Sequence, residues 1–293
     1  YKLSVVELSE TNEADIRDMF IRLNINNVSL NKQELRNATY TGDFITLCRD
    51  LAEMHENWYA EQRIFAANHF KRMRDIEFTS ELISSMKYGI LDRKANLDEY
   101  YKTNENMQNN DISTLRNDFN RVIKTIKNIF DEEELKSTIF KKMTSFYSLF
   151  MAIHGLYKDG SKINEDLYND LLQELIEISL NANSSTEIES MRNYYDSCVQ
   201  GGDSRTKRAF RDDLLKEVII RFTNKLDSNR NFSETQKQLL WHRTRGHKCG
   251  ICTLKIDSYS EMEVDHIERH RDGGLTSISN GRITHSSCNR SRG

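Results

Sequence analysis

The chain has 293 residues, 37% hydrophobic and 30% charged, with a net charge of −3. That length suits two or three domains, and the composition supports a soluble protein with a buried core. No apolar run is long enough to span a bilayer, and the odd count of five cysteines, three of them crowded at Cys249, Cys252 and Cys288, excludes a secreted disulfide framework in favour of a reducing, cytosolic setting.

The opening "YKLSVVELS" has extended character and is expected to finish a strand. No signal peptide is expected. The chain starts at Tyr1 rather than Met, so a segment upstream is expected. From Asn12 the pattern turns helical, with Ile16, Met19, Phe20 and Leu23 on one face. "SLNKQELRNA" predicts a capped short helix starting near Ser29, and a longer helix is expected from about Asp43 to Trp58. Amphipathic helices separated by polar breaks continue to residue 246, about ten in all. "FYSLFMAIHGLY" (Phe146–Tyr157) reads as a buried helix, and "KRAFRDDLLKEVIIRF" as a packed one. His55, His69 and His154 fall in helical patterns as packing or surface residues, and Cys48 and Cys198 as small buried hydrophobes.

Six of the twelve glycines lie between Gly246 and Gly293, and there is no proline. Glycine supplies tight turns, so the tail is turn-rich and the rest is not. Residues 231–293 carry ten Lys/Arg against seven Asp/Glu, a net +3, and five of the eight histidines; the remainder carries −6. The expected fold is mostly α, a large helical region followed by a small, turn-rich C-terminal domain. The expected boundaries are 1–105, 106–230 and 231–293.

The tail contains C-x2-C-x32-H-x2-C: Cys249, Cys252, His285 and Cys288. Two ligand pairs, each on its own turn, are a usual way to build a closed tetrahedral Cys3His zinc site, which is structural. Between the pairs, "MEVDHI" predicts a short strand ending in Asp265 and His266. Asp272–Gly274 turns the chain, Asn280 sits in a polar loop, and Asn289, Arg290 and Arg292 fall on a short final helix.

"CGIC", "VDHI", "GG", Asn280 and "HSSCNRSRG", in that order over about fifty residues, resemble the HNH endonuclease family. The resemblance implies that the tail is a zinc-bound ββα-metal (α+β) domain, that His266 is the general base and that Asp265 before it and Asn289 are ligands of a catalytic Mg2+ or Mn2+. Asn280 would support the loop and the base. The chemistry of the residues agrees. An imidazole can deprotonate water near neutral pH, and carboxylate and amide oxygens suit a hard cation. A side-chain amide such as Asn280, or a nearby carbonyl, would orient the ring. Adjacent strand residues point to opposite faces, so Asp265 and His266 share a site only where the strand ends. Two positions depart from the family pattern: Arg269 stands where many members have Pro, and HxxC replaces a second CxxC. Arg269, Arg271, Arg282, Arg290 and Arg292, together with Arg243, Arg245 and Lys248, are candidate phosphate contacts or ordinary surface charges.

"DIRDMFIRLNINNVSLNKQELRNATYTGDF" (Asp15–Phe44), with "FTSELISSMKYGI", "FYSLFMAIHGL" and "SRTKRAFRDDLL", resembles the ParB-like proteins of modification-dependent restriction systems in bacteria. Their nucleotide motif does not occur here and would lie before Tyr1. Arg22, Asn24, Glu34 and Arg36 fall in the matching segment, where caps and ion pairs are the simpler reading.

Together these features lead to the expectation of a metal-dependent DNA endonuclease or nickase with structural Zn2+. Its partners would be double-stranded DNA and a defence-system protein, with no membrane, in the bacterial cytoplasm, acting against phage or foreign DNA. The acidic helical region argues against a general nonspecific DNA binder. A non-catalytic zinc-stabilised module binding nucleic acid or protein is the alternative, and a ribonuclease a third.

Overall fold

The computed structural model describes Asp15, Met19 and residues 30–92, 97–131, 133–199, 201–223, 230–270 and 274–292. The expected N-terminal strand lies outside the described residues. So do Ile16, Phe20, Arg22, Leu23, Asn24, Ser29, Arg271, Asp272 and Gly273.

Twelve α-helices precede the tail's strands among the described residues. They are α1 (Lys32–Thr39), α2 (Asp43–Glu61), α3 (Ala67–Lys71), α4 (Arg74–Tyr88), α5 (Leu97–Thr103), α6 (Asn109–Ile129), α7 (Glu134–Ser137), α8 (Met143–Lys158), α9 (Tyr168–Asn181), α10 (Glu189–Val199), α11 (Arg205–Ile219) and α12 (Glu234–Arg243).

The first of these begins later than the cap expected near Ser29. Asn31 Oδ1 accepts the amides of Gln33 and Glu34, and the Glu34 carboxylate accepts the Asn31 amide in return. This reciprocal box satisfies donors that a helix start leaves orphaned. Glu34 therefore works as a cap, and Arg36 as an ion-pair partner of Asp98 at 2.8 Å.

The core is built around α8, where every side chain from Ser145 to His154 is buried. A helix apolar on all sides needs neighbours on all sides, and α2, α4, α6 and α11 supply packing around this centre. "FYSLFMAIHGLY" is thus the buried helix its composition predicts. On α11, Arg211 is fully buried and spends its guanidinium on Ser148 Oγ (3.0 Å) and the carbonyls of Ser197 (2.6 Å) and Gly202 (2.7 Å). Arg208 pairs with Glu81 at 2.6 Å. Buried charge is tolerated only when satisfied in this way. Cys48 is fully buried, while Cys198 is only partly so.

The tail forms a two-stranded antiparallel hairpin, β1 (Met262–His266) and β2 (Gly281–His285), with Val264 opposite Ile283. A final helix, α13 (Ser286–Arg292), packs across it. This is the ββα unit expected of the tail. Helix α12, started by a Ser233–Gln236 capping box, packs on β2. No helix among the described residues is long and apolar enough to cross a membrane.

Candidate functional site

The first cysteine pair sits on a knuckle closed by the Cys249 amide to Leu254 O (2.8 Å) and the Thr253 amide to Cys249 O (2.9 Å). The Gly250 amide donates to Ile283 O at 2.8 Å and stitches the knuckle to β2. Gly250 must be small, because a Cβ there would lie 2.7 Å from the Arg282 side chain.

The second pair comes from the end of β2 and the first turn of α13. The ligand atoms of Cys249, Cys252, His285 and Cys288 all lie within 4.8 Å of one another. His285 Nδ1 is 3.4 Å from Cys252 Sγ and 3.9 Å from Cys288 Sγ. Zinc bonds of about 2.3 Å in a tetrahedron separate their ligands by roughly 3.7 Å, so the cluster fits zinc. His285 Nε2 lies 3.1 Å from Lys255 O, an outer bond that leaves Nδ1 for the metal. Burial pushes the Cys249 thiol up, but bonds from the amides of Cys252, His285 and Ile251 outweigh it and bring it down to about 6. The thiolate, the metal-binding form, is thereby favoured.

Beside this centre an open cleft of about 790 Å³ runs along β1. It is lined by Arg230, Phe232 and Lys237 together with Glu263, Asp265, His266, Arg269, His270, Asn289 and Arg292. Three of the four residues expected to do chemistry therefore share one cavity. His266, at the end of β1, has its Nε2 3.1 Å from the Thr276 hydroxyl. Its ring lies 4.6 Å from that of Phe232 and 5.7 Å from that of His270.

The fourth, Asn280, is not among the cleft's lining residues and holds the loop. Its Oδ1 accepts the Glu268 amide (2.8 Å), and its Nδ2 donates to the carbonyls of Glu268 (2.9 Å) and Leu275 (2.8 Å). This clamp explains a motif glycine: a Cβ on Gly274 would sit 2.0 Å from Glu268 O and 2.9 Å from Asn280 Nδ2. Gly281 is likewise hemmed in, since a Cβ there would lie 2.7 Å from the Leu240 side chain and 2.8 Å from the Phe232 ring.

Asp265 is only slightly exposed, and its Oδ2 accepts from Arg282 Nη2 (2.8 Å) and from Arg292 Nη1. Arg292 also donates to the carbonyls of His266 (2.8 Å) and Ile267 (3.0 Å). These two arginines, expected as phosphate contacts, are engaged inside the segment, as is Arg269 through Arg292 O (2.9 Å). Arg290 is open, with 80% of its side chain exposed beside Glu263. Arg243 faces Glu177 of α9 at 3.9 Å.

Three contributors are absent from the sequence expectations. Thr276, whose hydroxyl lies beside His266 Nε2, is a described neighbour of that ring. Glu263 accepts from Asn289 Nδ2 at 2.8 Å. Its signal was in plain view: Glu263 and Asp265 alternate on β1 and so share a face. Phe232 flanks the His266 ring from before α12, and no local pattern marks it.

Residues 249–293 match the family model described as HNH endonuclease. No curated protein and no solved structure matches the chain. The ββα hairpin, the Cys3His cluster and the family match coincide on the same residues, and the chain carries an HNH endonuclease domain at 249–293.

Proposed function

We propose that the chain is a DNA endonuclease or nickase in which His266 is the general base. The observation that carries this is the convergence of His266, Asp265 and Asn289 on one open cleft beside the Cys3His centre. His266 accepts a proton from the attacking water, and the resulting hydroxide attacks phosphorus as the 3′ oxygen departs. Thr276 and Phe232 hold the imidazole, and Asn280 keeps the loop behind it in shape. The oxygens of Asp265 and Asn289, with Glu263 nearby, suit a hard cation such as Mg2+ or Mn2+, and Asp265 offers the oxygen its arginines do not share. Such a cation would neutralise charge on the scissile phosphate and the leaving oxygen. Arg230, Lys237, Arg269 and Arg290 border the path of a polyanion, and double-stranded DNA is the substrate we assign.

A role in bacterial cytoplasmic defence, with a defence-system partner protein, is supported by the ParB-like sequence pieces of the helical region. Of these, "QELRNA" forms part of α1, and much of the earlier stretch lies outside the described residues.

The double pairing of Asp265 favours one rival, a zinc-stabilised binding module without catalysis. Plasmid cleavage with Mg2+ or Mn2+, comparing wild type with His266→Ala at matched zinc content, separates the two. The nuclease proposal expects nicking or linearisation that falls about a hundredfold or more in the variant. Equal cutting by the variant removes His266 as the base, and cutting by neither favours the binding module. Running the same assay on RNA tests the ribonuclease alternative.

A further inference from the structure

The loop from Gly274 to Asn280 carries both the hydroxyl beside the His266 ring and the amide that clamps the turn. Much of what supports this loop comes from α9, about a hundred residues earlier. Glu174 Oε1 accepts the Ile278 amide at 2.5 Å and Gln236 Nε2 at 3.3 Å. Gln236 Nε2 also donates to Thr276 O at 2.9 Å, and Ser279 Oγ to Asp170 of α9 at 2.9 Å. Glu174 and Gln236 are each 1% exposed, and Thr276 and Ile278 are fully buried. Burial pushes the Glu174 carboxyl up to about 7, despite these donors and the nearby Arg221.

Glu174 occupies an unusual place. Leu171, Leu175 and Ile178 form the apolar stripe of α9, and Glu174 lies within that stripe, where a leucine would pack without desolvating a carboxylate. What the carboxylate adds over leucine is a directed acceptor for a loop amide two residues from Thr276.

We infer that Glu174 is a positioning residue for the nuclease site: α9 of the helical body holds the Thr276 loop and, through it, the orientation of His266. The inference rests on the nuclease proposal for its activity readout alone. Helical body and HNH segment then form one working unit, and any partner that shifts α9 alters cleavage without touching the cleft.

The test uses the full chain with Glu174→Leu and Glu174→Gln, and Ser279→Ala as a milder variant should the first fail to fold. Three quantities are measured: zinc content, the ¹⁵N resonances of the His266 ring, and kcat and KM for nicking of plasmid DNA with Mg2+. At unchanged zinc content, Glu174→Leu should shift the His266 resonances. It should also lower kcat about tenfold or more with KM nearly unchanged. Glu174→Gln, which keeps the acceptor oxygen, should restore both. Ser279→Ala should give a smaller change of the same kind. Unshifted His266 resonances in Glu174→Leu, or in Ser279→Ala if it stands in, overturn the inference whether or not the wild type cuts. Shifted resonances with unchanged kcat in a cutting enzyme overturn it as well. If the wild type does not cut, the nuclease proposal fails, and shifted resonances restored by Gln still support the positioning contact.

Discussion

In the helical body, Phe119, Phe146 and Phe150 are sealed on all sides, and buried side chains from α2, α4, α6, α8 and α11 pack around them. In the 249–292 segment the buried apolar side chains among the described residues are few: Cys249, Ile256, Met262, Ile278 and Ile283. One region is stabilised by area spread over many residues. The other has too little apolar area for its length and has instead a Cys3His cluster suited to zinc, arginine pairs and a borrowed wall. The difference separates tolerance from precision. A distributed core absorbs a lost contact, whereas the 249–292 segment depends on a few groups held at fixed distances.

The sharpest way to break the comparison is to remove the metal. Structural zinc contributes on the order of 10–16 kcal/mol of apparent binding energy in small modules. Chelation, or Cys252→Ser, should therefore unfold the tail while the main melting transition stays close to its original temperature. Calorimetry paired with zinc analysis reads both. A single transition collapsing with the zinc would show that the two regions are not stabilised separately.

A smaller effect is expected from Phe150→Ala, which empties a fully buried ring site beside Phe119. The cost should be about 3–5 kcal/mol, seen as a lower melting temperature of the helical body at unchanged zinc content. Equal loss of zinc would mean that the tail draws more on the core than its own contacts indicate.

The smallest expected effect sharpens the contrast within the tail. Gly274→Ala forces a methyl against Glu268 O and the Asn280 clamp, at a cost of about 1–3 kcal/mol. It should speed amide exchange in residues 274–280 and reduce cleavage while the helical transition is unmoved. A silent Gly274→Ala would show that the clamp yields more easily than its distances imply.

Much of the fold was legible because helices announce themselves locally. The pattern around "FYSLFMAIHGLY" marks a buried helix, and α2 begins at the expected Asp43. The start of α1 was misplaced because Ser29 and Asn31 are both good caps. The choice fell to Asn31, whose side-chain Nδ2 also donates to Arg72 O at 2.7 Å, a partner invisible to local pattern. In the site, the clustering of Cys249, Cys252, His285 and Cys288 was legible from their spacing, and β1 and α13 from the residues between and after them. Asp265 was legible as a residue but not in its surroundings: its arginines come from the opposite strand and the last helix.

By itself the sequence determined which elements form and which Cys and His donor atoms come together, because both follow from periods and spacings of a few residues and from ligand chemistry. Only the tertiary structure decided that Thr276 meets the His266 ring, that Glu263 meets Asn289, and that Glu174 of α9 supports their loop. Those contacts join residues from 10 to 104 positions apart. Hydrogen bonds are short and directional, so they depend on how hairpin, loop and helix are packed together, and no local pattern in the chain encodes that packing.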